Sequence, residues 1–283
     1  MFVLNQYQLI DFGGGRRLER FGPLVLDRPC PAAENLRRAD RAAWQTADAR
    51  FERDDGPDGQ WICRGELPER WAVDHGSFKL ELRLTPAGQL GLFPEQAANW
   101  DWIGEQLRQG DRAAKVLNLF AYTGGSTLAA AAAGAEVVHL DAARNMLAWA
   151  RRNAELSGMA HKPIRWIAED AMKFVERELK RGNRYDAVIL DPPSYGHGPH
   201  GEVWRLAKHL PQLLQTCGRL TAGRLQFMLL SCHTPGFDAA NLGTMVTDAL
   251  GPGGDVDAEG LTLRTAAGRS LSCGVAVRWR SRA

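Results

Sequence analysis

The chain has 283 residues, 45% hydrophobic and 24% charged, with a formal net charge of +2. That fits an ordinary globular protein, one large domain or one domain with a smaller appendage, and falls short of a dedicated nucleic-acid domain's strongly basic footprint. No run of about 18 apolar residues predicts a transmembrane helix, and MFVLNQYQLIDFGGGRR places its charge after a mixed stretch, unlike a secretory signal, so a cytoplasmic protein away from membranes is expected.

Up to about residue 95 the chain is rich in turns, with GGG at Gly13 to Gly15 and DDGPDG at Asp54 to Gly59. FKLELRLTPAGQLGLF alternates with period 2 around Pro-Ala-Gly and predicts a hairpin. PEQAANWDWIGEQLRQG predicts a helix that starts on a proline and ends before Gly110. From residue 112 onward, apolar runs alternate with helical stretches. They are AKVLNLF, a helix from Ser126 to Ala133, EVVHL, a helix from Ala142 to Leu156, IRWIA, a helix from Ala171 to Arg181, YDAVILD, a helix around Gly201 to Cys217, and RLQFMLLS. Strands alternating with helices predict a parallel, doubly wound α/β sheet. The tail, VDAEGLTLRTAAGRSLSCGVAVRWR, predicts a closing hairpin at the sheet edge. The expected organisation is a small β-rich accessory or substrate-binding region over 1–95 and a catalytic domain over 96–283.

Ligands of doubly wound sheets sit beyond the carboxyl ends of the strands. The first strand is followed by Phe120-Ala121-Tyr122-Thr123-Gly124-Gly125, whose glycines allow close approach of a ligand and whose helix start can take a carboxylate. It is not GxGxxG, and a plain strand-to-helix turn would read the same way. EVVHL ends at Asp141, placed to bind the hydroxyls of a ribose. The next strand leads to Glu169-Asp170, where a carboxylate can meet the exocyclic amine of an adenine. The fourth ends in Asp191-Pro192-Pro193-Ser194-Tyr195-Gly196. Paired prolines remove donors and stiffen the backbone, so an acid, outward carbonyls and an aromatic ring could grip a flat polar ring. Local basic groups (Arg37, Arg38 and Arg41; Arg177, Lys180, Arg181 and Arg184; Arg278, Arg280 and Arg282) read first as solvated charge.

VLNLFAYTGG, Asp141, the EDA at Glu169 to Ala171 and ILDPPSYG, in that order, resemble the class I S-adenosylmethionine-dependent methyltransferases. Within them the pattern is similar to the branch holding the RlmI-like 23S rRNA 5-methylcytosine enzymes, which GLFPEQAANWDW, NAELSG and the Ser-Cys after the fifth strand also fit. The match covers roughly residues 78 to 235, and the PUA-type RNA-binding domain of that branch is not evident intact. The resemblance implies a Rossmann-like seven-stranded methyltransferase sheet with S-adenosylmethionine as cofactor. It implies that Asn118, Phe120, Tyr122, Thr123, Gly124 and Gly125 line the methionine moiety. Asp141 would hold the ribose, Asp170 the adenine, and Asp191 with Pro192 the target base, with the region of Gln96 over the cofactor's front. Pro193 and Tyr195 extend the substrate side, and RNA, single-stranded or with a base flipped out, is the expected partner.

Carbon 5 of cytosine is a poor nucleophile, and the resembled branch adds a cysteine thiolate to carbon 6 to activate it. Cys232, in the FMLLSCH run, stands where such a thiol is expected, with Asp191 beside it. Adjacent residues of a strand face opposite ways, so His233 is a poor activator of Cys232 if the strand persists through both. Cys30, Cys63, Cys217 and Cys273 lie off these loops and read as packing residues; five dispersed cysteines predict neither a disulfide framework nor a zinc ribbon. His197 and His200 in a Gly/Pro-rich loop lack the further ligands of a catalytic metal, and none is expected. An amine-directed methyltransferase that uses the Asp-Pro-Pro loop without a nucleophile is the alternative.

Overall fold

The computed structural model describes residues 2–53, 58–110 and 112–282. Asp54–Pro57, most of the turn expected at Asp54 to Gly59, lies outside the described residues. The chain divides into two compact units, Met1–Ala98 with Thr262–Cys273, and Asn99–Leu261 with Gly274–Ala283.

In the first unit, β1 (Tyr7–Gly13), β2 (Arg16–Phe21), β3 (Leu24–Pro29), β4 (Ala49–Glu52) and β5 (Gln60–Cys63) form one sheet in chain order. All pairs are antiparallel except β3 with β4. Leu9, Leu18, Phe21, Leu26 and Phe51 are fully buried in it. Glu19, also fully buried, accepts from Arg28 and from the Tyr7 hydroxyl at 2.9 Å, so its charge is paired inside the unit. Asp11 is a second buried hub. It accepts from the backbone of Phe12, Ala39 and Asp40, from the Trp44 indole at 2.8 Å and from the Arg269 guanidinium.

The expected hairpin in FKLELRLTPAGQLGLF is present only as a tight turn, in which Gly88 N donates to Thr85 O and Arg83 N to Leu90 O. A ladder forms between β6 (Trp71–Asp74) and β7 (Lys79–Leu82). Pro94–Gln96 is a single 3-10 turn that runs into α1 (Ala97–Arg108).

The second unit carries the parallel sheet. It runs β8 (Lys115–Leu119), α2 (Gly125–Ala132), β9 (Glu136–Asp141), α3 (Arg144–Leu156), β10 (Ile164–Ala168), α4 (Ala171–Lys180) and β11 (Ala187–Leu190). A short ladder, β12 (Tyr195–His197) with β13 (Val203–Arg205), precedes α5 (Leu206–Leu220), β14 (Phe227–Cys232), α6 (Ala239–Leu250), β15 (Gly254–Arg264) and β16 (Ser270–Ser281). The seven-stranded order is β10-β9-β8-β11-β14-β16-β15. The first five strands are parallel, and β16 enters antiparallel beside β14.

Every residue of β11 and β14 is buried, and both read as apolar runs broken only by Ser231, as strands covered on both faces do. Strand order reverses between β8 and β11, which opens the crevice at their carboxyl ends. The helix expected around Gly201 to Cys217 begins only at Leu206. Tyr-Gly-His and Val-Trp-Arg pair as a hairpin across the Gly/Pro-rich turn, and Trp204 turns inward as its buried anchor.

Candidate active site

The turn after β8 has an unusual backbone. Phe120 at φ 55° and Tyr122 at φ 50° are left-handed although neither is glycine, and Gly124 follows at φ 91°. Such residues persist only where their surroundings over-determine them. Here Ala121 N donates to Leu140 O at 3.0 Å, Tyr122 N to Asp141 Oδ2 at 2.9 Å, and Asn153 Nδ2 to Thr123 O at 2.8 Å. Gly125 has no room for a side chain, since a Cβ there would lie 2.5 Å from the Trp100 ring.

Below this turn lies a polar layer. Asn118 Nδ2 donates to Thr127 Oγ1 at 2.9 Å, and the Thr127 hydroxyl meets His139 Nδ1 at 2.9 Å. Asn118, Thr127, His139 and Asn153 are all buried, and burial pulls the His139 pKa down to about 3, so the imidazole is neutral.

Asp141 is the hinge between the turn and the next strand. Its two oxygens each take one backbone N–H, from Tyr122 at 2.9 Å and from Ala143 at 2.8 Å. Burial raises its pKa, and those two donors oppose the rise. Each oxygen retains a second lone pair, and a hydroxyl donor can meet it. A carboxylate oriented this way could accept from the hydroxyls of a ribose, and the N–H groups at the adjoining helix start could meet a carboxylate. Asp170 is partly committed, because its side chain caps α4 by accepting from Lys173 N at 3.0 Å. Glu169 pairs with Arg177, one of the arginines read as solvated charge.

The second cluster sits at the ends of β11 and β14, which pair in register at Leu190 and Leu230. Asp191 Oδ1 stands 3.4 Å from His233 Nε2. The strand ends at Cys232, so His233 is released from the alternation that would have turned it away and reaches the Asp-Pro-Pro loop. Cys232 itself is 1% exposed. Burial pushes its thiol up, as does the charge of Asp191, while hydrogen bonding with Thr234 pulls it down. Trp204 Nε1 donates to Pro193 O at 2.7 Å, and the Trp204 and Phe120 rings pack at 4.9 Å. Pro192 is buried, while Pro193 and Tyr195 are exposed.

Asn118, Phe120, Tyr122, Thr123, Gly124, Gly125, Asp141, Asp170, Asp191, Pro192 and Cys232 thus all stand at the carboxyl ends of the parallel strands or just beyond them. Gln96 is buried in the 3-10 turn of the first unit. Sequence reasoning passed over Thr127, His139, Asn153 and Trp204. A histidine inside the apolar strand EVVHL is the signal that could have found the layer, since a buried polar side chain needs partners.

The sequence profile of S-adenosylmethionine-dependent methyltransferases matches residues 34–227. The crystal structure of an S-adenosylmethionine-dependent methyltransferase from Agrobacterium tumefaciens superposes with a TM-score of 0.94 at 38% identity, covering 98% of this chain and 91% of that one. The ribosomal RNA large subunit methyltransferase I of Aeromonas salmonicida is 30% identical over 173 residues, 60% of this chain and 40% of that protein. The ribosomal RNA large subunit methyltransferase K/L of Methylococcus capsulatus is 30% identical over 141 residues, 50% of this chain. The chain spans 40% of the first and 19% of the second. No helix among the described residues is long and apolar enough to cross a membrane. With a profile match across residues 34–227 and a near-complete structural counterpart, the chain belongs to the S-adenosylmethionine-dependent methyltransferase family.

Proposed function

We propose that this methyltransferase modifies a base of RNA, and that the base is a cytosine methylated at carbon 5. The observation that carries the reading is the placement of Cys232 at the end of β14, beside the Asp191-Pro192-Pro193 loop that closes β11. The names of the ribosomal RNA methyltransferases to which the chain is similar support RNA as the substrate class.

S-adenosylmethionine supplies an electrophilic methyl group on a sulfonium. Asn118 and the turn from Phe120 to Gly125 hold its methionine end, Asp141 its ribose and Asp170 its adenine. The target base enters against Asp191 and Pro192, with Pro193 and Tyr195 on its outer side. Cys232 loses its proton and its sulfur adds to carbon 6, which turns carbon 5 into an enamine-like nucleophile. Carbon 5 would take the methyl group as its bond to the sulfonium sulfur breaks, with S-adenosylhomocysteine as the neutral thioether left behind; a base would then remove the carbon 5 proton and the Cys232 sulfur would leave carbon 6. A raised thiol requires a proton acceptor, a part that falls in this reading to Asp191, whose charge acts on the thiol and whose Oδ1 lies 3.4 Å from His233 Nε2.

The burial of Cys232 favours a second reading, in which an amine is methylated through Asp191 and the proline carbonyls without any thiol. Cys232→Ala separates the two. With labelled cofactor and unmodified ribosomal RNA, the carbon 5 reading expects turnover to vanish while cofactor affinity stays; near-normal turnover would sink it and leave amine chemistry.

A further inference from the structure

We propose that the solvent-facing side of the β12–β13 hairpin is a stacking and phosphate platform for single-stranded RNA beside the target base. The proposal rests on the reading of RNA as substrate and adds the surface that holds the strand next to the reacting base.

The hairpin has two unlike faces, as pleated strands require. Gly196 pairs with Trp204 on the inner face, and Trp204 is buried against Phe120. On the other face Tyr195 lies opposite Arg205 and His197 opposite Val203, and all four are exposed. Tyr195 is 52% exposed and Val203 45%, which is unusual for an aromatic and a branched apolar side chain on one small surface. The Tyr195 and His197 rings stand at 90° with centroids 5.1 Å apart, and the tyrosine hydroxyl meets His197 Nε2 at 3.1 Å. The pair is therefore a fixed notch: a base stacked on one ring has the edge of the other against it.

Charge on this face suits a polyanion. Arg205 pairs with no carboxylate among the described residues, and Lys208 is exposed on the first turn of α5. The carboxylate within the hairpin, Glu202, is taken by Lys173 and by the His200 backbone N–H at 2.9 Å, which leaves it no open claim on the basic groups. Unpaired cations beside bare aromatic rings match single-stranded nucleic acid, whose bases stack and whose phosphates need neutralising.

The platform is also held before any ligand arrives. Trp204 is tied to Pro193 O at 2.7 Å, Leu206 N donates to Ser194 O at 3.0 Å, and Arg205 N donates to His209 Nδ1 at 2.9 Å. Binding then has little loop ordering left to do. Because β12 begins four residues past Asp191, a strand lying on this face continues directly from a base placed against Asp191 and Pro192.

The test measures binding of a labelled single-stranded oligoribonucleotide to the full chain by fluorescence anisotropy across a salt series, with methyl transfer to ribosomal RNA assayed separately. Tyr195→Ala should weaken binding about 5- to 150-fold, the range for losing one stacked base. Tyr195→Phe, which keeps the ring, should stay within a few-fold of wild type. Arg205→Ala should lower the slope of log affinity against log salt by about 0.7, the value for one phosphate of a single strand. S-adenosylmethionine affinity should be the same in all three variants. Wild-type affinity and slope in both alanine variants would overturn the platform, as would Tyr195→Phe behaving like Tyr195→Ala or a wild type that binds no oligoribonucleotide. Methyl transfer to RNA by wild type with unchanged binding in the variants overturns the platform alone. Binding that depends on Tyr195 and Arg205 without methyl transfer to RNA supports the platform and removes the RNA reaction.

Discussion

The buried His139 should make the catalytic unit acid-sensitive well above the range in which carboxylates titrate. Its folded pKa of about 3 lies below its ordinary 6.5 because burial disfavours the imidazolium. The sign follows from proton uptake. Below about pH 6.5 the unfolded chain binds a proton at this residue and the folded one does not, until about pH 3. The contribution is thus fully present above 6.5 and is lost progressively as pH falls toward 3, at ~1.4 kcal/mol per pH unit. Between about pH 7 and about pH 5 the loss comes to about 2 kcal/mol. Urea titrations of wild type and His139→Gln at those two pH values isolate it, because glutamine can still meet Thr127 but does not titrate. With a slope of about 2 kcal/mol per molar urea, wild type should lose about 1 M more of its midpoint than the variant on acidification. Equal midpoint shifts in the two proteins would refute the idea that a neutral, buried His139 underlies the cofactor turn.

Asp141→Ala should weaken S-adenosylmethionine binding by about 10- to 150-fold, the cost of hydrogen bonds to a charged group. Isothermal titration calorimetry reads this directly, and unchanged affinity would remove Asp141 from the cofactor's contacts. Gly125→Ala should cost about 1–3 kcal/mol by overpacking against the Trp100 ring, read as a lowered thermal midpoint. Adding Trp100→Phe should give a loss smaller than the sum of the two single losses; strict additivity would show that the two sites do not touch.

Much of this was legible in the sequence because parallel strands and their loops announce themselves locally. The apolar runs ending at Leu119, Asp141, Ala168, Leu190 and Cys232 mark both the strands and the edge where chemistry collects. What stayed hidden depends on distant partners or very short elements. Tyr-Gly-His and Val-Trp-Arg are three residues each, too few to show a period, and it is their antiparallel pairing, anchored by the buried Trp204, that makes them one hairpin. Thr262–Cys273 groups with the first unit, where Leu9 bridges to Thr265 and Arg269 pairs with Asp11, and nothing near Thr265 signals that pairing. The Asp170 cap is legible in the sequence, since aspartate just before a helix start is a standard N-cap. The alternation argument about His233 holds only if the strand runs past Cys232; β14 stops there, and the His233 side chain lies 3.4 Å from Asp191.

The two halves of the site meet in one aromatic contact. Phe120 and Tyr122 each carry a left-handed φ that costs of the order of 1–3 kcal/mol, and the hydrogen bonds from Ala121, Tyr122 and Asn153 hold that geometry from the strand side. From the open side, Phe120 is held by Trp204, whose indole N–H at the same time fixes Pro193 O. A rotation of the indole would therefore loosen the turn after β8 and release the last carbonyl of the Asp-Pro-Pro motif together. The turn after β8 and the Asp-Pro-Pro loop come from sequence positions more than seventy residues apart, Phe120 and Pro193, yet they share the buried Trp204 ring as a common support. If the turn holds the donor and the loop the acceptor, as proposed above, this shared support helps keep the donor carbon and the accepting atom in line, to within about 0.5 Å of the productive geometry that methyl transfer requires.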